Sequence, residues 1–239
     1  MFTYVLIPGA GGEAWYWHRV VAELEQRAQV GVAVDLPAAD ETAGLSEYVD
    51  AVVAAIGDRQ RLVLVAQSLG GFTAPLVCER VPVDLIVLLN AMIPAPGESG
   101  AEWWTNTDQE QARTAKAERD GRVLPAEFDP LDEFFHDVPN EVIDEAMKRG
   151  EPTQAGTPMS EPWPLEAWPN VPTRVLTARD DRFFPAEFQR RIARERLGIT
   201  PAEIPGGHLV ALSRPVELTD RLEAYAAELG TDEVQSGRA

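Results

Sequence analysis

Ser68 has sequence neighbours that suit a catalytic nucleophile. It follows the apolar run 62–66 and precedes Gly70 and Gly71, so it stands at a predicted strand-to-helix turn. Such a turn, the nucleophile elbow, needs small flanking residues and lifts the serine hydroxyl above the sheet edge at a helix N-terminus. Ala66 takes the place of the first glycine in the G-x-S-x-G spacing. The alternative is that Ser68 only caps the helix that follows.

A serine nucleophile needs a base, and the chain has three histidines. His18 lies on an amphipathic helix and His136 in a long segment between two strands, so packing roles are expected for both. His208 follows a glycine pair directly after the last predicted strand, where a loop can approach other backbone closely. This places His208 at the same carboxyl edge of the sheet as Ser68 and makes it the expected general base.

The third group expected is a carboxylate that orients the imidazole and stabilises its charged form. Asp180 and Asp181 both follow the next-to-last predicted strand. Adjacent residues on an extended segment point to opposite sides, so only one of them can meet His208. Either choice gives the chain order serine, aspartate, histidine.

Acyl transfer also needs backbone N–H groups for the developing oxyanion. The amide of Leu69, directly after the serine, is one expected donor. The glycine-rich turn 9–12 after the first strand offers the other, for which the Ala10 amide is the candidate. A phosphate-binding loop is the alternative for this turn, but neither the Lys-Ser/Thr ending nor the G-x-G-x-x-G spacing is present.

Short apolar runs alternate with segments of helical period, which predicts an α/β fold with a mostly parallel sheet flanked by helices. The strands are expected at residues 4–7, 30–34, 62–66, 85–89, 173–177 and 202–204. The helices between them are expected at about 15–27, 45–56, 70–80, 186–196 and 215–229.

Residues 95–170 interrupt this alternation with helical stretches around 109–119, 131–135 and 140–148. The segment is too long for a plain crossover and is expected to form an inserted helical cap. Its large apolar side chains are candidates for the wall of a substrate pocket, the alternative being that several only pack the cap on the core. These candidates are Trp103, Trp104, Phe134, Phe135, Met159 and Trp163.

Composition limits the partners. The 239 residues, 45% of them hydrophobic, fit one domain over 1–239, and the single Cys78 excludes an internal disulfide. The net charge of −18 repels phosphate backbones and anionic lipid, so neither nucleic acid nor a membrane is an expected partner.

No apolar run approaches the roughly 18 residues that cross a bilayer, and the first residues lack a basic leader. We expect a cytoplasmic monomer or homodimer with a flexible tail at 230–239.

The chain resembles the α/β-hydrolase superfamily and is similar, within it, to the plant methylesterase and hydroxynitrile-lyase group and its bacterial relatives. The resemblance covers nearly the whole chain and is most specific at residues 5–17, 63–72, 88–94, 181–189 and 206–209. It implies the α/β-hydrolase fold with residues 95–170 as a lid over an apolar pocket.

The same resemblance assigns roles to five residues. It implies Ser68 as the nucleophile, His208 as the base, and Ala10 with Leu69 as oxyanion donors. It also distinguishes the two aspartates, because in this pattern the acid commonly stands four residues before a proline that opens the next helix. Asp181 stands four residues before Pro185 and is the implied acid.

Three positions depart from the family pattern, one of them Ala66, which stands in place of the glycine of Gly-His-Ser. Pro8 stands where the family usually has a histidine before glycine, and Gln67 stands where it has the histidine of Gly-His-Ser. None of these changes removes a triad residue or an oxyanion amide. Gln67 is a candidate to hydrogen-bond within the elbow or to reach the substrate.

These residues together predict a serine hydrolase that cleaves a small carboxylic ester through an acyl-enzyme, with no metal or organic cofactor implied. Hydrolysis of a carbon–carbon bond or a thioester remains open, because the same nucleophile and oxyanion hole serve each acyl group. A hydroxynitrile lyase is disfavoured, because Leu209 stands where such enzymes of the plant group have a lysine. The last alternative is a catalytically silent ligand-binding protein of the same fold.

Overall fold

A parallel sheet forms the centre of the protein. The structure is a computed structural model that describes residues 1–236, with side chains up to residue 229. The strands of this part of the chain are β1 (Thr3–Ile7), β2 (Val30–Ala33), β3 (Leu62–Gln67), β4 (Leu85–Leu89), β5 (Thr173–Ala178) and β6 (Ala202–Ile204). They pair in the order β2-β1-β3-β4-β5-β6 with every pair parallel. The predicted α/β fold is confirmed, and each predicted strand is present to within one residue at either end.

Helices connect the strands. A short 3₁₀ helix (Ala14–Trp17) precedes the first of them. In chain order they are α1 (His18–Gln26), α2 (Leu45–Ile56), α3 (Gly70–Val77), α4 (Gly100–Asn106), α5 (Gln109–Arg119), α6 (Pro130–Glu133), α7 (Asn140–Arg149), α8 (Thr157–Ser160), α9 (Ala186–Leu197), α10 (Val210–Ser213) and α11 (Pro215–Ser236).

The sheet is covered on both faces, which gives three layers. Strand residues such as Val5 and Leu64 point to the core shared with α2, α3 and α9. Their sequence neighbours Tyr4 and Val63 point to a second core shared with α1 and α11. Strands buried on both faces must be apolar at nearly every position, which is why β3 and β4 read as continuous apolar runs.

Residues 95–170, called the insert below, leave the sheet after β4 and return at β5. They carry α4 to α8, of which the sequence analysis missed the short α4 and α8. The start of α4 had a signal, since Ser99 and Glu102 form a capping box. Two backbone hydrogen bonds, called the clasp below, join the two ends of the insert. Gly97 N donates to Trp163 O at 3.0 Å, and Trp163 N donates to Glu98 O at 2.9 Å.

The last helix is longer than predicted. Its backbone remains helical to Ser236, whereas the sequence analysis ended the helix at residue 229 and placed a flexible tail at 230–239. The rest of that predicted tail, 237–239, lies outside the described residues. No helix in the described part of the chain is both long and apolar enough to cross a membrane.

Candidate active site

Ser68 lies at the turn between β3 and α3. Its φ angle is +50°, in the left-handed region where a non-glycine residue needs support from its surroundings. A Cβ atom at Gly70 would lie 2.7 Å from the Pro8 carbonyl oxygen, and one at Gly71 would lie 1.9 Å from the Met92 carbonyl oxygen. Neighbouring backbone thus occupies the space of a side chain at both positions, and the elbow requires glycine there.

The elbow accepts alanine at its remaining small position. Ala66 is fully buried and belongs to the core shared with α2 and α3. Its strand partners are Ile7, the last residue of β1, and Leu88 of β4. The methyl group at this departure from G-x-S-x-G is therefore an ordinary core contact and leaves the turn at Ser68 in place.

His208 and Asp181 meet beside this turn. His208 Nδ1 lies 2.8 Å from Asp181 Oδ2, and both side chains are buried. The other carboxylate oxygen, Asp181 Oδ1, accepts hydrogen bonds from the backbone N–H groups of Phe183 at 2.9 Å and Phe184 at 2.8 Å. The carboxylate is thus fixed by its own loop, with one oxygen left for the imidazole.

Asp180 points elsewhere, as expected for the residue adjacent to Asp181. Its carboxylate pairs with Arg179 at 3.0 Å on the surface and accepts from Gly206 N at 3.2 Å. The hydrogen bonds from Arg179, the largest influence, hold the pKa of Asp180 below its usual range. Of the two candidate carboxylates, the structure brings only Asp181 to the imidazole.

Asn90, which the sequence analysis did not single out, ties the histidine loop to the sheet. It is fully buried at the end of β4 with a φ angle of +44°. Its Nδ2 donates to the carbonyl oxygens of Gly207 at 3.3 Å and His208 at 3.1 Å, and its Oδ1 accepts from Ala178 N at 2.7 Å. One side chain therefore sets the loop of the base against the exit of β5.

The turn after β1 lies against the insert. Gly11 N donates to Gln154 Oε1 at 3.0 Å, and Gln154 Nε2 in turn donates to Tyr48 Oη at 3.0 Å. Within the described residues, the backbone N–H groups of Ala10 and Leu69 have no hydrogen-bond acceptor. Both candidate oxyanion donors are therefore unpaired, as a site for an incoming oxygen requires.

The Gln67 side chain reaches the imidazole rather than solvent. Its Nε2 lies 3.1 Å from His208 Nε2, and both residues are buried. Among the described residues, no hydrogen bond joins Ser68 Oγ to His208. Gln67 therefore bonds to the imidazole on the loop after β6 and not to an atom of the elbow itself.

Three phenylalanine rings surround the His208 imidazole. Phe134, from the insert, stacks on it with ring centroids 5.1 Å apart at 29°. Phe183 and Phe184, which follow Asp181, meet it edge-on at 5.4 Å and 5.1 Å. Phe134 is thus the one predicted pocket residue that the structure places directly on a candidate catalytic side chain.

The other predicted pocket residues lie farther from the imidazole. Trp103 and Trp163 are fully buried core residues whose indole N–H groups donate to the carbonyl oxygens of Ile93 and Phe72. This is the packing role that the sequence left open as the alternative. Trp104 contacts Phe183 and Phe184, Met159 packs near Gly100 against the α2 and α3 core, and Phe135 packs on the opposite core.

The other two histidines have structural contacts. His18 Nδ1 lies 2.7 Å from the Trp15 carbonyl oxygen, and its ring stacks on the Trp15 indole. His136 lies beside the histidine loop, with its Nε2 atom 2.7 Å from where a Cβ of Gly207 would be. Burial, assisted by Arg182, lowers the pKa of His136 below its ordinary value of 6.5. In the described part of the chain, no three His, Cys, Asp or Glu side chains are grouped as metal ligands.

The insert is bonded to the loops that carry Asp181 and His208. Asp137 Oδ2 accepts from Gly207 N at 2.9 Å, directly before His208. Arg182, directly after Asp181, donates to the carbonyl oxygen of Asp132 at 2.8 Å and pairs with its carboxylate. These bonds fix α6 and the residues after it over the imidazole.

A known protein family and a named relative match this chain. Residues 4–221 match the model described as the alpha/beta hydrolase family. Over 108 residues, the chain is 42% identical to a protein of Oryza sativa subsp. indica named "Probable esterase PIR7A", a match that covers 40% of this chain and 41% of the relative's length.

Solved structures share the fold. Polyneuridine aldehyde esterase superposes with a TM-score of 0.76 at 21% identity, covering 95% of this chain and 99% of that one. A pyrethroid hydrolase from Sphingobium faniae JZ-2 gives 0.71 at 21% identity, covering 95% and 97%. Since the family model spans most of the sequence, the chain belongs to the alpha/beta hydrolase family.

Proposed function

We propose that this chain is a serine hydrolase that cleaves a small carboxylic ester through an acyl-enzyme. The observation that carries the proposal is the buried hydrogen bond of 2.8 Å between His208 and Asp181 at the strand edge that bears Ser68. A buried carboxylate on Nδ1 keeps the ring proton on that nitrogen and leaves Nε2 as the basic atom. That arrangement suits removal of a proton from a serine hydroxyl.

The reaction then has two halves. Ser68 Oγ attacks the ester carbonyl carbon while His208 Nε2 takes the hydroxyl proton; the carbon–oxygen bond to the alcohol breaks and the alcohol leaves with that proton. Water next attacks the acyl carbon, again giving its proton to His208, and the acid is released as Ser68 regains its hydrogen. Asp181 stabilises the imidazolium that forms in each half.

The oxyanion is assigned to two backbone amides. The N–H groups of Ala10, in the turn after β1, and of Leu69, directly after the serine, have no acceptor in the described residues. Hydrogen bonds aimed at the charge that develops on the carbonyl oxygen typically contribute 10²- to 10³-fold each to the rate. The bond from Gly11 to Gln154 supports the turn that carries the Ala10 amide.

The insert has the role of a lid in this proposal. Phe134 and the adjoining Phe183 place apolar rings around the base, which favours an apolar acyl or alcohol group and keeps water from the reacting atoms. The rice relative and polyneuridine aldehyde esterase are named as esterases, and the Sphingobium faniae protein is named as a pyrethroid hydrolase. They support the same chemistry for this chain.

The test uses p-nitrophenyl acetate as substrate and a fluorophosphonate as a covalent label. We expect the wild-type chain to turn over the ester and to be labelled at Ser68. Ser68→Ala should lower kcat by roughly 10⁴- to 10⁶-fold with the fold intact. Ser160→Ala, at an exposed serine of the insert, is the matched control and should be labelled like the wild type. A wild-type chain that neither turns over nor is labelled would contradict the proposal and favour a silent binding protein.

A further inference from the structure

The contact between Gln67 and His208 is not used by the mechanism above. In that mechanism, His208 Nε2 accepts the Ser68 proton, yet in the structure this nitrogen is hydrogen-bonded to the Gln67 amide at 3.1 Å. The contact is buried, with Gln67 4% and His208 3% exposed, so water does not compete for it. The hydrogen bond between Gln67 and His208 is therefore a fixed part of the site.

The direction of this bond follows from the other side of the ring. Asp181 Oδ2 lies 2.8 Å from Nδ1, so the proton of the neutral imidazole is on Nδ1 and the lone pair is on Nε2. Only a donor can bond to that lone pair, and the Gln67 side-chain N–H is the donor present. The amide thus engages the same lone pair that must receive the Ser68 proton.

The space that holds the Gln67 amide is provided by Gly9. A Cβ atom at Gly9 would lie 2.4 Å from Gln67 Oε1 and 2.8 Å from Ser68 Cβ. Gly9 does not have a positive φ angle, so space rather than backbone conformation requires glycine here. The amide is therefore lodged between the turn that carries Ala10 and the imidazole, next to the path of an incoming carbonyl group.

We infer that Gln67 is a gate on the base: its amide holds His208 Nε2 in the resting enzyme and must be displaced before Ser68 can give up its proton. The inference rests on the proposed function and goes beyond it, because it names a side chain that opposes the first step. A bound acyl group displaces the amide, and the gate keeps the serine weakly nucleophilic until then. Gln67 is a positioning residue in this account, acting through His208.

Two near-isosteric variants separate a gate from a support. Gln67→Met keeps the length of the side chain and removes the donor, so the second-order rate of fluorophosphonate labelling should rise by about threefold to tenfold, the worth of one neutral hydrogen bond. Gln67→Glu places a carboxylate on Nε2 that retains a proton there. The imidazole of this variant would then lie between two carboxylates, the new one and Asp181. Labelling should therefore be slower than in the wild type at neutral pH and should recover at higher pH.

The outcomes distinguish this inference from the proposed function. If the wild type is not labelled at Ser68, the proposed function is wrong. If the wild type is labelled but Gln67→Met is labelled more slowly, or at an equal rate, with an unchanged melting temperature, then Gln67 supports His208 or is neutral and the gate is overturned.

Should Gln67→Met fail to fold, Gln67→Ala gives the same comparison, and the wild-type chain offers a test that needs no variant. In a crystal structure of the protein phosphonylated at Ser68, we expect the Gln67 amide to lie beyond hydrogen-bond distance of His208 Nε2. An amide that remains bonded to this nitrogen in the adduct would overturn the gate.

Discussion

The Phe134 ring stacks on the His208 imidazole, with the ring centroids 5.1 Å apart and the ring planes at 29°. The two residues come from different parts of the chain, one from the insert and one from the loop after β6. An aromatic face over an imidazole favours the ring when it carries positive charge, as it does in each transition state of the proposed mechanism. The insert therefore contributes to the base as well as covering it.

Phe134→Leu tests this contribution. The variant keeps an apolar side chain and removes the aromatic face, so kcat should fall by about threefold to tenfold, corresponding to the usual worth of an aromatic pair. Phe135→Leu is the control, because that ring packs on the opposite core and should change kcat by less than about twofold. Equal losses in both variants would assign the effect to general packing of the insert.

The two aspartates should differ widely in their effect on turnover. Asp181→Asn removes the carboxylate from His208 and favours the wrong imidazole tautomer, which should cost up to about 10⁴-fold in kcat. Asp180→Asn breaks a surface contact with Arg179 and should cost less than about tenfold. Both variants are measured with one activated ester. A larger loss at Asp180 would reverse the assignment.

Asn90 should matter to both stability and turnover. Asn90→Asp preserves the size of the side chain and the acceptor for Ala178 N, but it removes the donor to the Gly207 and His208 carbonyl oxygens. Leaving these buried oxygens unpaired should lower the free energy of unfolding by about 1 to 3 kcal/mol. We expect kcat to fall more than KM rises, because the loop of the base loses its anchor. Urea unfolding and steady-state kinetics measure the two effects, and an unchanged kcat would show that the loop holds its position without Asn90.

The elbow glycines provide a stability test with an internal control. Gly71→Ala would place a methyl group 1.9 Å from the Met92 carbonyl oxygen, so the variant should be strongly destabilised, by more than about 3 kcal/mol. Gly156→Ala is made at a glycine with ordinary helical dihedrals and no heavy atom within 4 Å of the added Cβ. It should be neutral in thermal unfolding. A Gly71→Ala protein as stable as the wild type would mean that the elbow can move away from β4.

Glu98, at the clasp, should make stability depend on pH. Burial alone would raise the pKa of Glu98, but hydrogen bonds from Arg196 and Asn106 outweigh it and hold that pKa below the ordinary value of 4.5. The Glu98 carboxylate therefore binds a proton more readily in the unfolded chain than in the folded one. Its contribution to the free energy of unfolding is complete above pH 4.5 and is lost as the pH falls through the pKa that Glu98 has in the folded protein. In Glu98→Gln, the acid decline in unfolding free energy should be shallower. Glu151→Gln, at an exposed glutamate, is the control and should leave the wild-type slope.

Much of the fold could be predicted because strands and helices leave local signals. The runs 85–89 and 202–204 and the helices Leu45–Ile56 and Gln109–Arg119 were predicted with the bounds that the structure has. The short α8 carries too few residues for a helical period to appear. The extension of α11 to Ser236 was missed because Gly230, Thr231 and Asp232 are weak helix formers.

Ser68 and His208 could be selected as candidates from the sequence, because each has glycines beside it and follows a predicted strand. The site was not predictable where a side chain acts through tertiary bonds. Asn90 carries no sequence signal of its bonds to the histidine loop, which depend on two strand ends and a loop brought together by the sheet. Trp103 and Trp163 are large aromatic residues of the kind that line pockets. Only their hydrogen bonds to the carbonyl oxygens of Ile93 and Phe72 reveal them as core residues.

Because the clasp joins Gly97 and Trp163, residues 99–162 form a segment that can be replaced as a whole. Because the two ends already meet, the entropy of closing the segment between them grows only slowly with its length. We therefore expect that helices of this segment can be shortened or replaced while the strand ends that carry Ser68 and His208 stay where they are. For protein engineering the clasp is a graft point, at which we expect the insert of one hydrolase to be transferable to the sheet of another if the contacts to the loops of Asp181 and His208 are kept.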